Sequence, residues 1–239
     1  MQVKLADGVT IVRIDHPPVN AFDLGLVDDA VATIRGITGP IVITGTGKCF
    51  SAGVDLRAFI EGGADDNDRF LAALSGAFLT VFDHPAPVVA AINGHAIAGG
   101  CVLAMAADVR LMSTGLIGLS EVAVGVPFPV AALEICRYAM GTSVTRAVLE
   151  ADNIDMRSAA QRGWIDEVVA PDDLMARAVA TAQALGQHSP AAYAAMKEQL
   201  HRHARAAIDA GAELDANVQA LWRSEETRAR ISAFLDALK

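Results

Sequence analysis

Short apolar runs alternate with stretches of helical spacing along this chain. Val9-Thr10-Ile11-Val12-Arg13-Ile14 alternates and is β-branched, which predicts a strand. His16-Pro17-Pro18-Val19-Asn20 breaks it. Apolar positions over residues 24–37 recur at helical spacing. Pro40-Ile41-Val42-Ile43-Thr44-Gly45 is a continuous apolar run bounded by turn residues, as in a strand buried on both faces. A loop at Gly45-Thr46-Gly47-Lys48 leads to a glycine turn at residues 51–56. Residues 62–68 are polar and rich in Gly and Asp, which predicts a mobile surface loop with Asp65, Asp66 and Asp68 as solvated charges. A helix is expected over residues 70–82, ended by Pro85-Ala86-Pro87. Val88–Ile92 reads as a second buried strand, residues 99–107 as a helix and Val109–Met112 as a returning strand. Pro129 stands where a helix can begin and Gly141 where it can end. Beyond that the spacing is mainly helical and rich in Ala, Arg and Glu. Strands alternating with helices imply crossover units and an α/β core.

At 239 residues the chain suits one core with an appended helical segment. Its hydrophobic share of 53% is high, yet no run approaches a membrane span. The surplus, mostly Ala and Val, fits buried parallel strands, close helix packing and a subunit interface. A formal net charge of -9 argues against a nucleic-acid partner. Cys49, Cys101 and Cys136 sit in apolar surroundings with no metal-ligand spacing to the histidines. They read as reduced structural thiols of a cytoplasmic protein, and no metal is expected. The N-terminal residues lack a secretion-signal pattern.

Candidate chemistry lies in two glycine turns and one glutamate. The first turn is Ser51-Ala52-Gly53-Val54-Asp55-Leu56 and the second Asn93-Gly94-His95-Ala96-Ile97-Ala98-Gly99-Gly100-Cys101. Glycine bends sharply without a Cβ clash, so the residue after it can present its N–H outward. Val54 would do this in the first turn. Gly99 would do so in the second, at a helix start where N–H groups are unpaired. Two N–H groups aimed at one point stabilise a developing oxyanion. Each turn alone is also compatible with plain packing, and neither is a nucleotide fingerprint, since Gly45-Thr46-Gly47 lacks the third glycine. Glu121 lies among Ser, Leu, Val, Ala and Gly. Two readings are open: a desolvated carboxylate with a raised pKa, suited to moving protons beside a carbonyl, or an exposed loop glutamate. His84 and His95 are open to a structural reading, and Arg57 to a surface or a phosphate-contact one.

Together these residues resemble the crotonase family, also called the enoyl-CoA hydratase/isomerase family. Gly47-Lys48-Cys49-Phe50-Ser51-Ala52-Gly53-Val54-Asp55-Leu56-Arg57 is close to its G-x-x-F-[SC]-A-G-x-D-[LI]-[KR] signature. Residues 92–101 are close to its N-G-x-[AC]-x-G-G-G segment. Glu121 followed by Gly125, and Pro18, Asn20 and Ala21, match two further elements. The resemblance implies a spiral of ββα units over residues 1–190 and a C-terminal helical oligomerisation segment over 191–239, which packs on a neighbouring subunit or back over the active site. It also implies acyl-CoA thioester substrates, with coenzyme A as part of the substrate rather than a cofactor, and a homotrimer or dimer of trimers. The family's oxyanion donors carry over to the N–H groups of Val54 and Gly99, and its CoA and substrate contacts to Ala21, Ala52, Asp55, Leu56, Arg57, Gly100 and Ser120. Hydratases of the family carry two glutamates, and the position of the first is Val102 here; the second matches Glu121. Residues 121–129 are similar to the corresponding stretch of 3,2-trans-enoyl-CoA isomerases. The expectation is an isomerase that shuttles one proton through Glu121. A hydratase or other lyase, and a non-catalytic acyl-CoA-binding protein, are the alternatives.

Overall fold

The computed structural model describes residues 1–237. Its strands are β1 (Gln2–Ala6), β2 (Val9–Ile14), β3 (Ile41–Gly45), β4 (Cys49–Ser51), β5 (Val88–Ile92), β6 (His95–Ile97), β7 (Val109–Met112), β8 (Leu116–Gly118), β9 (Asn153–Asp155) and β10 (Glu167–Val168). Its α-helices are α1 (Leu24–Arg35), α2 (Leu56–Glu61), α3 (Ala64–Phe82), α4 (Gly99–Met105), α5 (Glu121–Val124), α6 (Val130–Met140), α7 (Val144–Glu150), α8 (Met156–Gln161), α9 (Leu174–Gly186), α10 (Pro190–Asp209), α11 (Ala212–Trp222) and α12 (Glu225–Ala237).

The strands form two sheets, ordered β1-β2-β3-β5-β7-β10 and β4-β6-β8-β9. In three successive units, β3–β4, β5–β6 and β7–β8, the first strand joins the large sheet and the second the small one. Within each sheet these strands run parallel. Each unit is followed by helix, which gives the ββα spiral expected from the sequence. The continuous apolar strands are buried on both faces, as their composition requires. Ile41, Ile43, Val88, Ala90 and Ile92 belong to the main core, whereas Val42, Val89 and Ala91 belong to a second core with Leu174, Ala178 and Ala182 of α9.

Residues 62–68 differ from the expected mobile loop. Helix α3 already begins at Ala64, with Gly63 at its N-cap. Asp65 and Asp66 lie in the first turn, where they complement the helix dipole. Asn67 is buried and its Nδ2 donates to the Phe59 carbonyl at 3.0 Å. Asp68 accepts from Arg223 Nε at 2.8 Å, so it is a tether and not a free solvated charge. The small sheet also escaped the apolar pattern, because three-residue strands such as β4, β6 and β8 are too short to show a period.

The C-terminal helices return over the same chain. On α10, Lys197 Nζ lies 2.8 Å from Asp108, and His201 stacks on Phe82 with ring centres 3.6 Å apart. The Trp222 indole N–H donates to the Pro127 carbonyl at 2.9 Å, and its ring meets Phe59 edge-on at 4.7 Å. The Arg228 guanidinium on α12 donates to the Ile60 carbonyl. Among the described residues, no helix is long and apolar enough to cross a membrane.

Candidate active site

The first turn is held by strand-like pairing. Phe22 N–H donates to the Gly53 carbonyl at 2.7 Å, and Asp55 N–H donates to the Phe22 carbonyl at 2.9 Å. Phe22 and Val54 thus form a parallel bridge. Successive N–H groups of an extended segment point to opposite sides. With Asp55 N–H turned toward Phe22, Val54 N–H points away from it. The Ser51 hydroxyl clamps the bend by donating to the Asn20 carbonyl at 2.7 Å and accepting from Gly53 N–H at 3.1 Å.

The second turn lies against the first. Ala98 has φ 53° and ψ −123°, a conformation that favours glycine. Its N–H donates to the Gly118 carbonyl at 2.8 Å, which ties the strained residue to β8. Helix α4 starts at Gly99, where a first-turn N–H has no intrahelical acceptor. Gly53 has φ +83°, and a Cβ there would stand 2.9 Å from the Gly99 nitrogen and 3.0 Å from the Ile97 carbonyl oxygen. A Cβ on Gly100 would meet the Ser51 carbonyl oxygen at 2.1 Å. These two glycines let the turns close on each other.

Val54 and Gly99 open onto a cavity with an empty volume of about 670 Å³, its mouth included. Ala52, Leu56, Ser120 and Glu121 line the same space. Its walls are apolar: Leu71, Leu74 and Phe78 from α3, Val102 from α4, and Phe128. Four of the expected contact residues stand outside it. Ala21 leads into the Phe22 bridge. The Asp55 carboxylate caps α2, accepting from the N–H groups of Arg57 and Ala58 at 3.0 Å each. Arg57 is exposed on the first turn of α2, and Gly100 is buried against Ser51. Phe70 borders a separate cavity with Asn67. Sequence reading missed Trp222 and Phe234, which close the cavity from the C-terminal helices. They belong to none of the ordered motifs.

Glu121 opens the short helix α5 and is 8% exposed. Its Oε2 is buried without a hydrogen-bond partner. Burial strips water from the carboxylate and pushes its pKa from 4.5 up to about 8, against a smaller lowering by its own backbone N–H. The open question at Glu121 is therefore answered in favour of the desolvated group. Helix α5 ends at Gly125, in the left-handed region at φ 88°, and the N–H groups of Gly125 and Val126 both donate to the Glu121 carbonyl at 3.0 Å. This tight turn fixes where the carboxylate starts. The thiols of Cys101 and Cys136 are pushed well up, first by burial, and stay protonated. His84 is structural: its Nε2 lies 3.0 Å from the Ile37 carbonyl and its Nδ1 3.1 Å from that of Ala86. Among the described residues, no group of three or more His, Cys, Asp or Glu could hold a metal ion.

Chemically, the arrangement combines two backbone donors with one proton-holding carboxyl in an apolar space. It can polarise a carbonyl and move a proton beside it.

Comparison with known proteins identifies the family. The family model described as enoyl-CoA hydratase/isomerase matches residues 4–239. A probable enoyl-CoA hydratase of Rhizobium meliloti is 28% identical, over 98% of this chain and 93% of its own length. A carnitinyl-CoA dehydratase of Salmonella typhi is 33% identical over 78% of this chain and 74% of its own. The human mitochondrial delta3-delta2-enoyl-CoA isomerase superposes with a TM-score of 0.93 over 99% of this chain and 97% of its own; at 22% identity it speaks to the fold alone. A probable enoyl-CoA hydratase of Mycobacterium tuberculosis superposes with a TM-score of 0.83 at 28% identity, over 92% of this chain and 96% of its own. With nearly its whole length matched by the family model, this chain belongs to the enoyl-CoA hydratase/isomerase family.

Proposed function

We propose that the protein shifts the double bond of a 3-enoyl-CoA to give the 2-trans-enoyl-CoA. The thioester carbonyl oxygen accepts hydrogen bonds from the N–H groups of Val54 and Gly99. The ionised Glu121 carboxylate removes a proton from C2, and the released electron pair runs through the double bond into a dienolate whose oxygen the two donors stabilise. Glu121 then returns the proton at C4, which places the double bond between C2 and C3. Atoms and charge balance with no other reactant.

One observation carries this reading. Among the described residues lining the cavity, Glu121 is the only carboxyl group, and Val102 of α4 faces the same space. Hydration of a double bond needs a water to be held and deprotonated as well as a proton delivered at the α-carbon. A valine offers neither. Isomerisation needs only one base that reaches both carbons. The pKa near 8 fits, because a base that must take up and release a proton near neutral pH works best with a value close to that pH.

Hydration is the second reading, favoured by the name of the Rhizobium relative. The two are separated by incubating the protein with 3-hexenoyl-CoA and, separately, with crotonyl-CoA, and following products by mass spectrometry. Conversion of the first to 2-hexenoyl-CoA, with no water added to the second, is the expected result. A gain of one water on crotonyl-CoA at a comparable rate would overturn the isomerase assignment in favour of hydration. Acyl-CoA binding with no turnover of either would point to the non-catalytic alternative.

A further inference from the structure

Two apolar cavities in this protein share one wall. Leu74 and Phe78 stand four residues apart on α3 and so lie on one face of it. Each lines the cavity that holds Glu121, and each also lines a second cavity with about 430 Å³ of empty volume, its mouth included. The second cavity lies between α1 and α3, beside β2 and β3. Val27 and Ile34 border it from α1, Ala77 and Val81 from α3, and Ile14 and Ile43 from the strands. No charged side chain lines it among the described residues.

The wall is one side chain thick, because the same two residues touch both spaces. It is also braced. Phe22 meets Phe78 edge-to-face with ring centres 6.2 Å apart, and Phe22 carries the bridge to Val54. Phe78 is 2% exposed and Leu74 4%, so both side chains sit inside the core.

We propose that Leu74 and Phe78 set the acyl-chain limit of this site. They end the pocket, so the protein takes short- and medium-chain acyl-CoA thioesters and leaves the distal part of longer chains unburied. A smaller apolar space lies behind the wall and is closed off by these two side chains, so truncating one of them joins that space to the pocket. This rests on the acyl-CoA reading above but not on which reaction follows binding.

Binding of saturated acyl-CoAs, which cannot be isomerised or hydrated, tests the limit apart from the chemistry. Each methylene that reaches apolar space raises affinity about four-fold, and each that stays in water adds nothing. Calorimetric titration of the wild type with butanoyl-, hexanoyl-, decanoyl- and tetradecanoyl-CoA should show affinity climbing with length and then levelling off before tetradecanoyl-CoA. Phe78→Ala should carry the climb onward and raise the tetradecanoyl-to-hexanoyl affinity ratio at least ten-fold. Adding Ala77→Phe, which refills the second cavity, should return the ratio toward the wild-type value. Should Phe78→Ala not fold, Phe78→Leu and Leu74→Ala make the same test with a several-fold change expected. An unchanged ratio in folded variants, or a wild type whose affinity keeps rising through tetradecanoyl-CoA, would overturn the proposal. Failure of every acyl-CoA to bind would overturn it together with the reading it rests on.

Discussion

Gly53 and Gly99, on turns 46 residues apart in sequence, meet so closely that a methyl group on the first would lie 2.9 Å from the nitrogen of the second. The nitrogen so crowded is one of the two proposed donors, and the residue after Gly53 carries the other. Gly53→Ala therefore strikes both donors at once, and the positive φ of 83° adds strain for any residue with a Cβ, on the order of 1–2 kcal/mol. Loss of a single oxyanion donor typically lowers kcat by about 10²–10³-fold. We expect Gly53→Ala to lose at least that much turnover while retaining most of its affinity for saturated acyl-CoA. Parallel kinetics and calorimetry check this. A variant with full turnover would show that these N–H groups do not contact the reacting carbonyl.

The pH dependence follows from Glu121. In the proposed mechanism this base must be ionised, and burial pushes its pKa up to about 8. For the free enzyme, kcat/KM should rise tenfold per unit on the acid side and bend toward a plateau near pH 8. Glu121→Gln should abolish exchange of the C2 proton for deuterium and leave acyl-CoA binding near normal. A profile flat between pH 6 and pH 9 would assign the proton transfer to some other group.

The same group makes a stability prediction. Glu121 binds its proton more tightly in the folded state than in the unfolded one, since its value rises from 4.5 to about 8. Its contribution to stability is complete below about pH 4.5 and is lost as the pH rises through the window up to about pH 8. At about 1.36 kcal/mol per unit, the loss attributable to this group is bounded at ~5 kcal/mol. Glu121→Gln is neutral throughout and escapes it. Denaturant unfolding at pH 5 and pH 9 should show the variant gaining on the wild type by several kcal/mol at the higher pH. Equal losses in both proteins would mean that solvent reaches the carboxylate.

These arguments use features of unequal visibility in the sequence. The strands β3 and β5 were legible because burial on both faces leaves an unbroken apolar run, and the two turns because glycine is needed where chains approach within a Cβ. Val54, Gly99 and Glu121 converge on one cavity, as their motifs implied. The start of α3 was illegible because its first turn is made of Asp and Asn, whose role as dipole complement and buried tether depends on partners far away: Arg223 is 155 residues from Asp68. Trp222 and Phe234 were illegible for the same reason. Their place over the cavity follows from the return path of α11 and α12, which no local period encodes.

The C-terminal helices leave apolar side chains uncovered. Met196 and Leu200 on α10 are 55% and 59% exposed, and Leu214 and Leu221 on α11 are 61% and 53% exposed. These support the expected trimer or dimer of trimers, in which neighbouring copies cover them. Sedimentation velocity should give a single species three or six times the mass of the 24.9 kDa chain. Leu200→Glu together with Leu221→Glu should shift it toward monomer, because burying a charge without a partner is strongly unfavourable. A wild type that sediments as a monomer at micromolar concentration would remove the proposed oligomer.

On the proposed reading, Val102 is the side chain on which isomerisation and hydration part, and it can be changed. It is 1% exposed and borders the cavity that holds Glu121. Val102→Glu would place a second carboxyl in the same low-dielectric space. Two carboxylates there cannot both ionise readily, so one of the pair is pushed to a still higher pKa and stays protonated at neutral pH. That pairing would supply what the proposed one-glutamate site lacks for hydration: one group to deprotonate a water and another to deliver a proton at the α-carbon. Isomerase turnover should fall at least tenfold near pH 7, because the ionised fraction of the base, already small below its pKa of about 8, falls further. Addition of water to crotonyl-CoA should appear, slowly, where the wild type is expected to show none. Burying the new group should also destabilise the fold by about 1–3 kcal/mol, so the comparison belongs at low temperature with folding checked by circular dichroism. If the wild type already hydrates crotonyl-CoA and Val102→Glu leaves that rate unchanged, residue 102 does not decide the reaction. The second group would then have to be sought elsewhere around Glu121.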